Sequence, residues 1–233
     1  MASTTIEQLR CVLKGDGFGL AFQPIIDLRN GQVVGFEALS RFADGVQSPA
    51  DWFADGRDHG LSSELESLAV RMAVEEMRRR NDGRFVTVNV SAETMIRAEF
   101  VNAIPDDLSN VVFEISDYST TAPPKLAVVA AQARRRGAKL AVDDVAGPHA
   151  TLRQLLQIDC ELIKLDMDLL HRAISEPRAR ALAHGLAIFS RETGMTMVAK
   201  GIEREAERDV VIALEIPLAQ GFLLGRPQPW PTS

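Results

Sequence analysis

Residues 23–42 read QPIIDLRNGQVVGFEALSRF, and this stretch decides the fold. Two apolar runs, residues 20–26 and 33–39, flank the dipeptide Asn30-Gly31. Asn-Gly readily adopts positive φ at both positions of a tight turn, so the pattern predicts a β-hairpin. The chain therefore begins with two antiparallel strands, which is unusual in front of the alternating pattern that follows.

A carboxylate stands inside the second apolar run. Glu37 alternates with apolar neighbours, and Arg41 lies two alternations further on. Burial of a carboxylate is costly unless a cation or hydrogen-bond donors satisfy it, so a structural ion pair is one explanation of Glu37. The same pattern recurs, however, because further polar residues end short apolar runs, namely Asn89, Glu114, Asp143, Asp144 and Lys164. The repetition favours one shared site over an isolated structural acid.

Length and composition limit the classes of protein. The chain has 233 residues, of which 46% are hydrophobic, and no run is long and apolar enough to cross a membrane. This length fits a single domain over residues 1–233, with residues 1–16 as an N-terminal helix and lead-in. The formal net charge of -6 argues against nucleic-acid binding through a basic surface.

The cysteines and histidines give no sign of a metal centre. Cys11 and Cys160 are far apart and lack metal-site spacing. The first residues carry acid and lack the apolar segment of a secretory signal, so we expect reduced thiols in a cytoplasmic protein. The histidines are scattered, and we expect surface or core positions for them: His59, His149, His171 and His184.

Strands and helices alternate through the rest of the chain. Apolar runs predict strands over residues 85–90, 111–115, 139–142, 162–165, 195–199 and 219–224. Helical periodicity and capping residues predict helices between them, for example over 123–136 and 203–214. Such alternation indicates a parallel sheet with helical crossovers. About eight strand candidates favour a closed (β/α)₈ TIM-like barrel with one antiparallel strand near the N-terminus.

The polar residues at the strand ends predict a metal-dependent site. In barrels of this kind, functional residues gather at the carboxyl ends of the strands, and here these are Glu37, Asn89, Glu114, Asp143, Asp144, Lys164 and Gln220. Carboxylate and amide oxygens suit Mg²⁺ or Mn²⁺, and paired ions hydrolyse phosphodiesters. Lys164 would orient the attacking water or neutralise phosphate charge, and Arg41 would bind a phosphate oxygen.

The ordered motifs resemble the EAL domain family, the bacterial cyclic di-GMP phosphodiesterases and their non-catalytic relatives. The motifs are EALSR at 37–41, VNVS at 88–91, FEISD at 113–117, DD at 143–144, IKLD at 163–166 and QGF at 220–222. The resemblance implies a (β/α)₈ barrel with one antiparallel strand. It implies metal ligands at Glu37, Asn89, Glu114, Asp143 and Asp144, with Lys164 near the attacking water. It also implies dinucleotide contacts at Gln23, Arg41, Glu203, Gln220 and Gly221.

Two departures from the family pattern concern the reaction centre. Active members carry Ala-Glu-Gly-Val-Glu after the seventh strand, whereas this chain carries AKGIE at 199–203. Lys200 thus replaces a glutamate that serves the second metal and the catalytic water, and an ammonium repels a divalent cation. The second departure is the loop VAGPHATL at 145–152, where Ala146 and Pro148 replace glycines. Asp117 is also one methylene shorter than the usual glutamate.

Three functions follow from this pattern. We expect a degenerate EAL domain in cyclic di-GMP signalling, catalytically silent or very weak, that serves as a nucleotide receptor, a protein-interaction module or both. The alternative is an active phosphodiesterase that uses Mg²⁺ or Mn²⁺ to hydrolyse cyclic di-GMP to linear pGpG. Mg²⁺ or Mn²⁺ would bind at a partial site or not at all. Lys200 would pair with Asp143 or Asp144 as an internal counterion, or extend into solvent.

The expected partners are cyclic di-GMP and a protein, with a homodimer as a further option. Nucleic acid and membranes are not expected partners, because the chain is acidic and has no membrane-spanning run.

Overall fold

The computed structural model describes residues 4–43, 45, 47–115, 123–147, 155–156 and 159–231. Within them eight strands close a barrel in sequence order: β1 (Phe18–Asp27), β2 (Gln32–Phe42), β3 (Phe85–Asn89), β4 (Val111–Ile115), β5 (Lys139–Val145), β6 (Leu162–Leu165), β7 (Thr196–Ala199) and β8 (Leu218–Ala219). β1 is antiparallel to β2 and to β8, and the other neighbouring pairs are parallel. The prediction of a closed barrel with one antiparallel strand is confirmed.

Helices connect the strands. They are α1 (Ile6–Leu13), α2 (Pro49–Asp58), α3 (Ser62–Arg80), α4 (Ala92–Met95), α5 (Ala98–Ala103), α6 (Pro123–Arg135), α7 (Met167–Ala173), α8 (Pro177–Glu192) and α9 (Glu205–Ala213). Local sequence sets several of these bounds: Ser48 caps α2 ahead of Pro49, and Gly137, at a φ of 95°, follows α6. Among the described residues, no helix combines the length and the apolar character that a membrane span needs.

The turn between β1 and β2 is longer than the Asn-Gly pattern predicts. Asp27 pairs with Gln32, so residues 28–31 form the connection, and within it only Gly31 has a positive φ, of 72°. The N–H of Gly31 donates to the carbonyl of Asp27 at 2.8 Å, and the N–H of Arg29 donates to the Asp27 carboxylate at 2.9 Å. The hairpin is as predicted, but the aspartate that precedes the turn sets its length.

The last strand is shorter than predicted. β8 ends at Ala219, whereas the sequence predicts a strand that continues to residue 224. The N–H groups of Leu224 and Gly225 donate to the carbonyl of Gly221, at 3.0 and 2.9 Å, so turns replace the expected ladder. Gln220 therefore stands at the end of the barrel's last strand, where its N–H still donates to the carbonyl of Ala199 at 2.9 Å.

An apolar layer inside the barrel supports a polar layer above it. The apolar layer contains Ile25, Val112, Ala141, Leu162, Val198 and Leu218. Two residues further along five of these strands, the chain carries Glu114, Asp143, Lys164, Lys200 and Gln220. Side chains two residues apart in a strand point to the same side. The polar residues thus form the upper layer of the interior, at the carboxyl ends of the strands, which we call the mouth.

Candidate functional site

Lys164 lies at the centre of a buried ionic cluster. Its Nζ is 2.9 Å from Oε2 of Glu37 and contacts Oε1 of Glu114. Lys164 and Glu114 are fully buried, and Glu37 is nearly so. Burial lowers the pKa of Lys164, but the charges of Glu114 and Glu37 outweigh it and hold that pKa above its usual value. The ammonium therefore remains charged at the bottom of the mouth.

Glu37 has several partners. Its Oε2 accepts a hydrogen bond from Nε2 of Gln220 at 2.5 Å in addition to the contact with Lys164. Its Oε1 accepts one from Nδ2 of Asn89 at 3.2 Å. Burial raises the pKa of Glu37, but Lys164 and the hydrogen bonds more than compensate and hold it below its usual value. Glu37 thus stays ionised although it is buried.

A chain of amides links this cluster to the segment after β8. Nε2 of Gln220 also donates to Oε1 of Gln23 at 2.9 Å. Nε2 of Gln23 in turn donates to the carbonyl of Gly225 at 3.1 Å. The structure therefore brings Gln23 and Gln220 together beside Glu37, with both amide groups held in one orientation.

Glu114 is the least compensated carboxylate of the mouth. Among the described residues, neither of its oxygens has a well-oriented hydrogen-bond donor, and its ionic contact is with Lys164. Burial and the negative charge of Glu37 raise the pKa of Glu114 to about 8. Glu114 therefore takes up a proton at a far higher pH than Glu37 does.

Lys200 forms a second ionic centre at the ends of β5 and β7. Its Nζ lies 2.6 Å from Oδ1 of Asp143 and 2.5 Å from Oδ1 of Asp144. Burial lowers the pKa of Lys200, but Asp143 and Asp144 more than offset this and hold it above its usual value. The ammonium stands between the two aspartates and is not extended into solvent.

The backbone at the end of β5 is bent so that both aspartates reach Lys200. Asp144 and Ala146 have φ values of 50° and 67°, in the left-handed region that non-glycine residues rarely adopt. The pairing of β5 with β6 shifts register between Val142 and Val145. Adjacent side chains in a straight strand point to opposite faces, and a register shift of this kind re-aims one of them. Residues 148–152 and Asp117 lie outside the described residues.

Three of the expected nucleotide contacts stand at the rim of the mouth. Arg41 is exposed near the end of β2, and its Nη1 donates to the carbonyl of Ser40 at 2.9 Å. Glu203 is also exposed, after β7. At Gly221 an added Cβ would lie 2.2 Å from the backbone nitrogen of Ile202, so a larger residue does not fit where the loops after β7 and β8 touch.

Sequence analysis missed Glu207, which holds the backbone beside Lys200. Its side chain is buried in α9, and its Oε2 accepts the N–H groups of Glu203 and Arg204 at 2.6 and 2.9 Å. Burial raises the pKa of Glu207, but these bonds and the Arg204 guanidinium hold it below its usual value. A glutamate at the third helical position is the capping-box signal that identifies this role from sequence.

Carboxylate and amide oxygens line the mouth, but lysine ammonium groups already contact several of them. Glu37, Asn89, Glu114 and Asp143 present the oxygens that Mg²⁺ or Mn²⁺ prefers. In the described part of the chain, however, no three aspartate, glutamate, histidine or cysteine side chains are grouped so that they share an ion. The Lys200 ammonium lies between Asp143 and Asp144, where a second cation would need their oxygens. Lys164 and Lys200 supply ion pairs to four carboxylates of the mouth.

The family model and the curated relatives indicate the same family. The model of the EAL domain matches residues 6–227. The cyclic di-GMP phosphodiesterase PdeF of Escherichia coli strain K12 is 24% identical over 238 residues, which cover 96% of this chain and 32% of PdeF. The bifunctional diguanylate cyclase/cyclic di-GMP phosphodiesterase MucR of Pseudomonas aeruginosa is 24% identical over 239 residues, 96% of this chain and 35% of MucR. The chain spans about a third of the length of the first curated relatives that it matches.

Solved structures share the barrel. The complex of the PaMucR phosphodiesterase with c-di-GMP has a TM-score of 0.86 at 23% identity, and the match covers 97% of each chain. The manganese/c-di-GMP complex of Klebsiella pneumoniae BlrP1 has a TM-score of 0.80 at 24% identity and covers 92% of this chain and 57% of that one. At these identities the likeness shows a common fold over nearly the whole chain.

Proposed function

The chain belongs to the EAL domain family, and from that premise we propose that it is a degenerate member, a receptor for cyclic di-GMP that hydrolyses the dinucleotide very slowly or not at all. One observation carries the proposal. The Lys200 ammonium lies 2.6 and 2.5 Å from Asp143 and Asp144, in place of the glutamate that active members carry there. PdeF and MucR, which are named for action on cyclic di-GMP, support this choice of ligand.

Electrostatics disfavours a second divalent ion. An ammonium a few ångströms from a divalent cation repels it strongly in a partly buried site. Lys200 would have to leave the mouth and give up both ion pairs before a cation took the oxygens of Asp143 and Asp144. Loss of one metal removes much of the charge stabilisation that phosphodiester hydrolysis requires. Hydrolysis is therefore expected to fail at the chemical step.

One divalent cation could still bind away from Lys200, at the oxygens near Lys164. Glu37, Asn89 and Glu114 would hold it, with Asp143 joining only if it gives up its contact with Lys200, and a bound Mg²⁺ or Mn²⁺ would polarise a phosphate oxygen. Two further residues of the chain would assist binding. Lys164 keeps Glu37 ionised in the buried mouth, and Arg41, exposed at the rim, offers a guanidinium for a phosphate oxygen.

The alternative is an active Mg²⁺- or Mn²⁺-dependent phosphodiesterase that releases linear pGpG. The observation in its favour is the cluster of Glu37, Glu114 and Lys164, which brings the expected ligands and lysine together. In that case another group would have to replace the glutamate that serves the second metal and the catalytic water in active members, because the Lys200 ammonium cannot.

A protein partner, or a second copy of the chain, completes the proposed signalling role. Val128 on α6 and Leu156 are 57% and 76% exposed, but single apolar side chains of this kind are common on protein surfaces and do not by themselves mark a contact. Cys11 and Cys160 are free thiols, which suits a protein that works in the reducing cytoplasm. Analytical ultracentrifugation with and without cyclic di-GMP distinguishes monomer from homodimer.

Calorimetric titration of cyclic di-GMP with and without Mg²⁺ tests the receptor proposal. We expect binding without added metal and no pGpG in a parallel hydrolysis assay. Turnover of about 1 s⁻¹ or faster would establish the enzyme instead. If the dinucleotide does not bind under either condition, the domain is an interaction module that has lost its ligand.

The Lys200→Glu variant tests the counterion. We expect Mg²⁺ to raise its melting temperature clearly and to raise that of the unmodified chain little, since a cation stabilises the state that binds it. Lys139→Glu makes the same charge change at the opposite end of β5 and serves as the control. Equal and strong stabilisation of the unmodified chain by Mg²⁺ would overturn the counterion role.

A further inference from the structure

A cavity of about 610 Å³ opens at the end of the barrel opposite to the mouth. Its lining includes Thr196, the first residue of β7, and Pro217, which precedes β8. It also includes Leu28, which follows β1, because the antiparallel β1 ends beside the start of β8. The described lining shares no residue with the mouth, so a ligand in this cavity would be separate from the proposed nucleotide site.

The lining of the cavity is largely apolar. Ile212, near the end of α9, is 51% exposed although it is a large apolar residue. Further apolar side chains line the cavity beside it, namely Leu28, Met195, Met197 and Ile216. The unbranched side chain of methionine adapts to apolar groups of different shape. Small-molecule sites commonly have volumes of about 300–1,000 Å³ and mostly apolar walls, so the cavity has the size and the lining of such a site.

Arg191 supplies the cavity with a cation that is only loosely paired. Its Nη1 donates to Oε2 of Glu215 at 2.8 Å, and the two side chains are 58% and 75% exposed. An ion pair between exposed side chains contributes little, because water screens both charges. A carboxylate on a ligand can therefore replace Glu215 at the guanidinium, and it can accept two parallel N–H groups there.

Arg29, which also lines the cavity, is held more firmly. Its Nε and Nη2 donate to the carboxylate of Asp27 at 2.9 and 2.6 Å, and Asp27 is buried. Release of Arg29 would leave that buried carboxylate without its cation, which is costly. Of the two arginines, Arg191 is therefore the one that is available to an anionic ligand.

We propose that this cavity binds a small organic acid with an apolar body, such as a medium-chain fatty acid. The carboxylate would pair with Arg191, and the apolar body would lie against Ile212 and the two methionines. Removal of apolar surface from water would drive binding, and the charge-assisted hydrogen bonds would fix the orientation of the ligand. The same chain with an ammonium head group would be repelled by Arg191.

Octanoate, octanol and octylammonium, which differ only in the head group, are suitable probes of the whole chain. In ¹H–¹⁵N titrations we expect octanoate to shift the amides of Gly194 and Thr196 until they saturate. We expect octanoate to bind about tenfold more tightly than octanol, the effect of one charge-assisted hydrogen bond, and octylammonium to bind most weakly. If octanoate gives no saturable shift at these amides, or if octanol or octylammonium binds as tightly, the proposal is overturned.

Two substitutions at the ion pair test the place of the carboxylate. Arg191→Gln should reduce the affinity for octanoate to that for octanol. Glu215→Gln removes the competing carboxylate and should strengthen the binding of octanoate, which a purely structural role of the pair would not produce. Arg178→Gln, at an exposed position of α8 outside the lining, should change neither affinity. A preference for octanoate that persists in Arg191→Gln overturns the proposal.

A third substitution tests the apolar body. Ile212→Ala should weaken octanoate and octanol by the same factor, because it removes apolar contact and leaves Arg191 in place. Ile188→Ala, at an exposed position of α8 outside the lining, is the matched control. Equal affinities of the Ile212→Ala and Ile188→Ala variants for octanoate would show that the chain does not bind in this cavity.

Discussion

The two lysines of the mouth each pair with two carboxylates, but they differ in how deeply they are buried. Each ammonium contacts two carboxylates, Lys164 those of Glu37 and Glu114 and Lys200 those of Asp143 and Asp144. The side chain of Lys164 is 0% exposed, whereas that of Lys200 is 21% exposed. The same arrangement of one ammonium and two carboxylates therefore occurs once in the buried interior and once at a solvent-accessible position. The first lysine is the counterion of carboxylates buried in the barrel, and the second stands where solvent reaches it.

The largest expected effect is on the buried centre. Lys164→Met keeps an unbranched side chain of nearly the same length but leaves Glu37 and Glu114 without their counterion. We expect the free energy of unfolding to fall by about 3–5 kcal/mol, the usual result of breaking a buried pair. Urea denaturation measures it. If Lys164→Met costs no more than Lys200→Met, the two centres do not differ in the way that their burial indicates.

The buried centre should also give stability a characteristic pH dependence. The pKa of Glu114 is about 8 in the folded protein against 4.5 ordinarily, so between these values the folded state binds a proton that the unfolded state releases. Stability from this group is therefore lost as pH rises towards 8. We expect a fall of about 2 kcal/mol between pH 6 and 8.

Glu114→Gln is the control for that prediction. It keeps the shape of the side chain and removes the titrating group, so the difference in slope between the two proteins isolates Glu114 from the histidines. Urea denaturation at pH 6, 7 and 8 gives both slopes. Parallel slopes would show that Glu114 does not titrate in this range.

Mutation of Lys200 should lower the free energy of unfolding less than mutation of Lys164, and Mg²⁺ should change it more. Lys200→Met leaves Asp143 and Asp144 as unpaired like charges, and we expect a loss of about 1–2 kcal/mol, between the values for surface and buried pairs. Mg²⁺ should restore much of it, because the variant has room for the cation. A loss that Mg²⁺ leaves unchanged would mean that the aspartates do not share a cation site.

The smallest effect concerns the bent backbone beside Lys200. Ala146 has a φ of 67°, and glycine adopts this conformation without the steric cost that alanine bears. We expect Ala146→Gly to stabilise the protein by about 0.5–1 kcal/mol. Ala43→Gly, at an exposed position without positive φ, should destabilise it slightly. Matching urea midpoints for the two variants would show that the bend carries no strain.

Much of the fold follows from alternation of residue types. The hairpin, the order of the strands and the closure of the barrel are all predicted by apolar runs and by polar residues at their ends. The same pattern places Glu37, Glu114 and Lys164 in one mouth, since carboxyl ends of parallel strands meet at one edge. The predicted extension of the last strand beyond Ala219 is wrong, because the chain turns at Gly221, which lies against the backbone of Ile202, and apolar content alone does not reveal this contact.

Other features of the site depend on contacts between distant segments. The bend at Asp144 follows from the register of β5 against β6, which no local residue pattern specifies. The Ser91–Glu66 hydrogen bonds join positions 25 residues apart, and the Gln220–Gln23 bond joins positions 197 apart. Sequence analysis names Gln23 and Gln220 as separate nucleotide contacts but gives no reason to pair them, and it does not single out Glu66. Only the closed barrel brings them into contact.

The Lys200 bridge also changes what the domain senses in the cell. A divalent ion occupies its site only in proportion to its free concentration, so a metal-dependent domain responds to ion and nucleotide together. An ammonium tethered to β7, by contrast, has a constant and very high effective concentration beside Asp143 and Asp144. If the receptor proposal holds, the domain reports nucleotide concentration alone, and its response stays the same when the supply of Mg²⁺ or Mn²⁺ fluctuates.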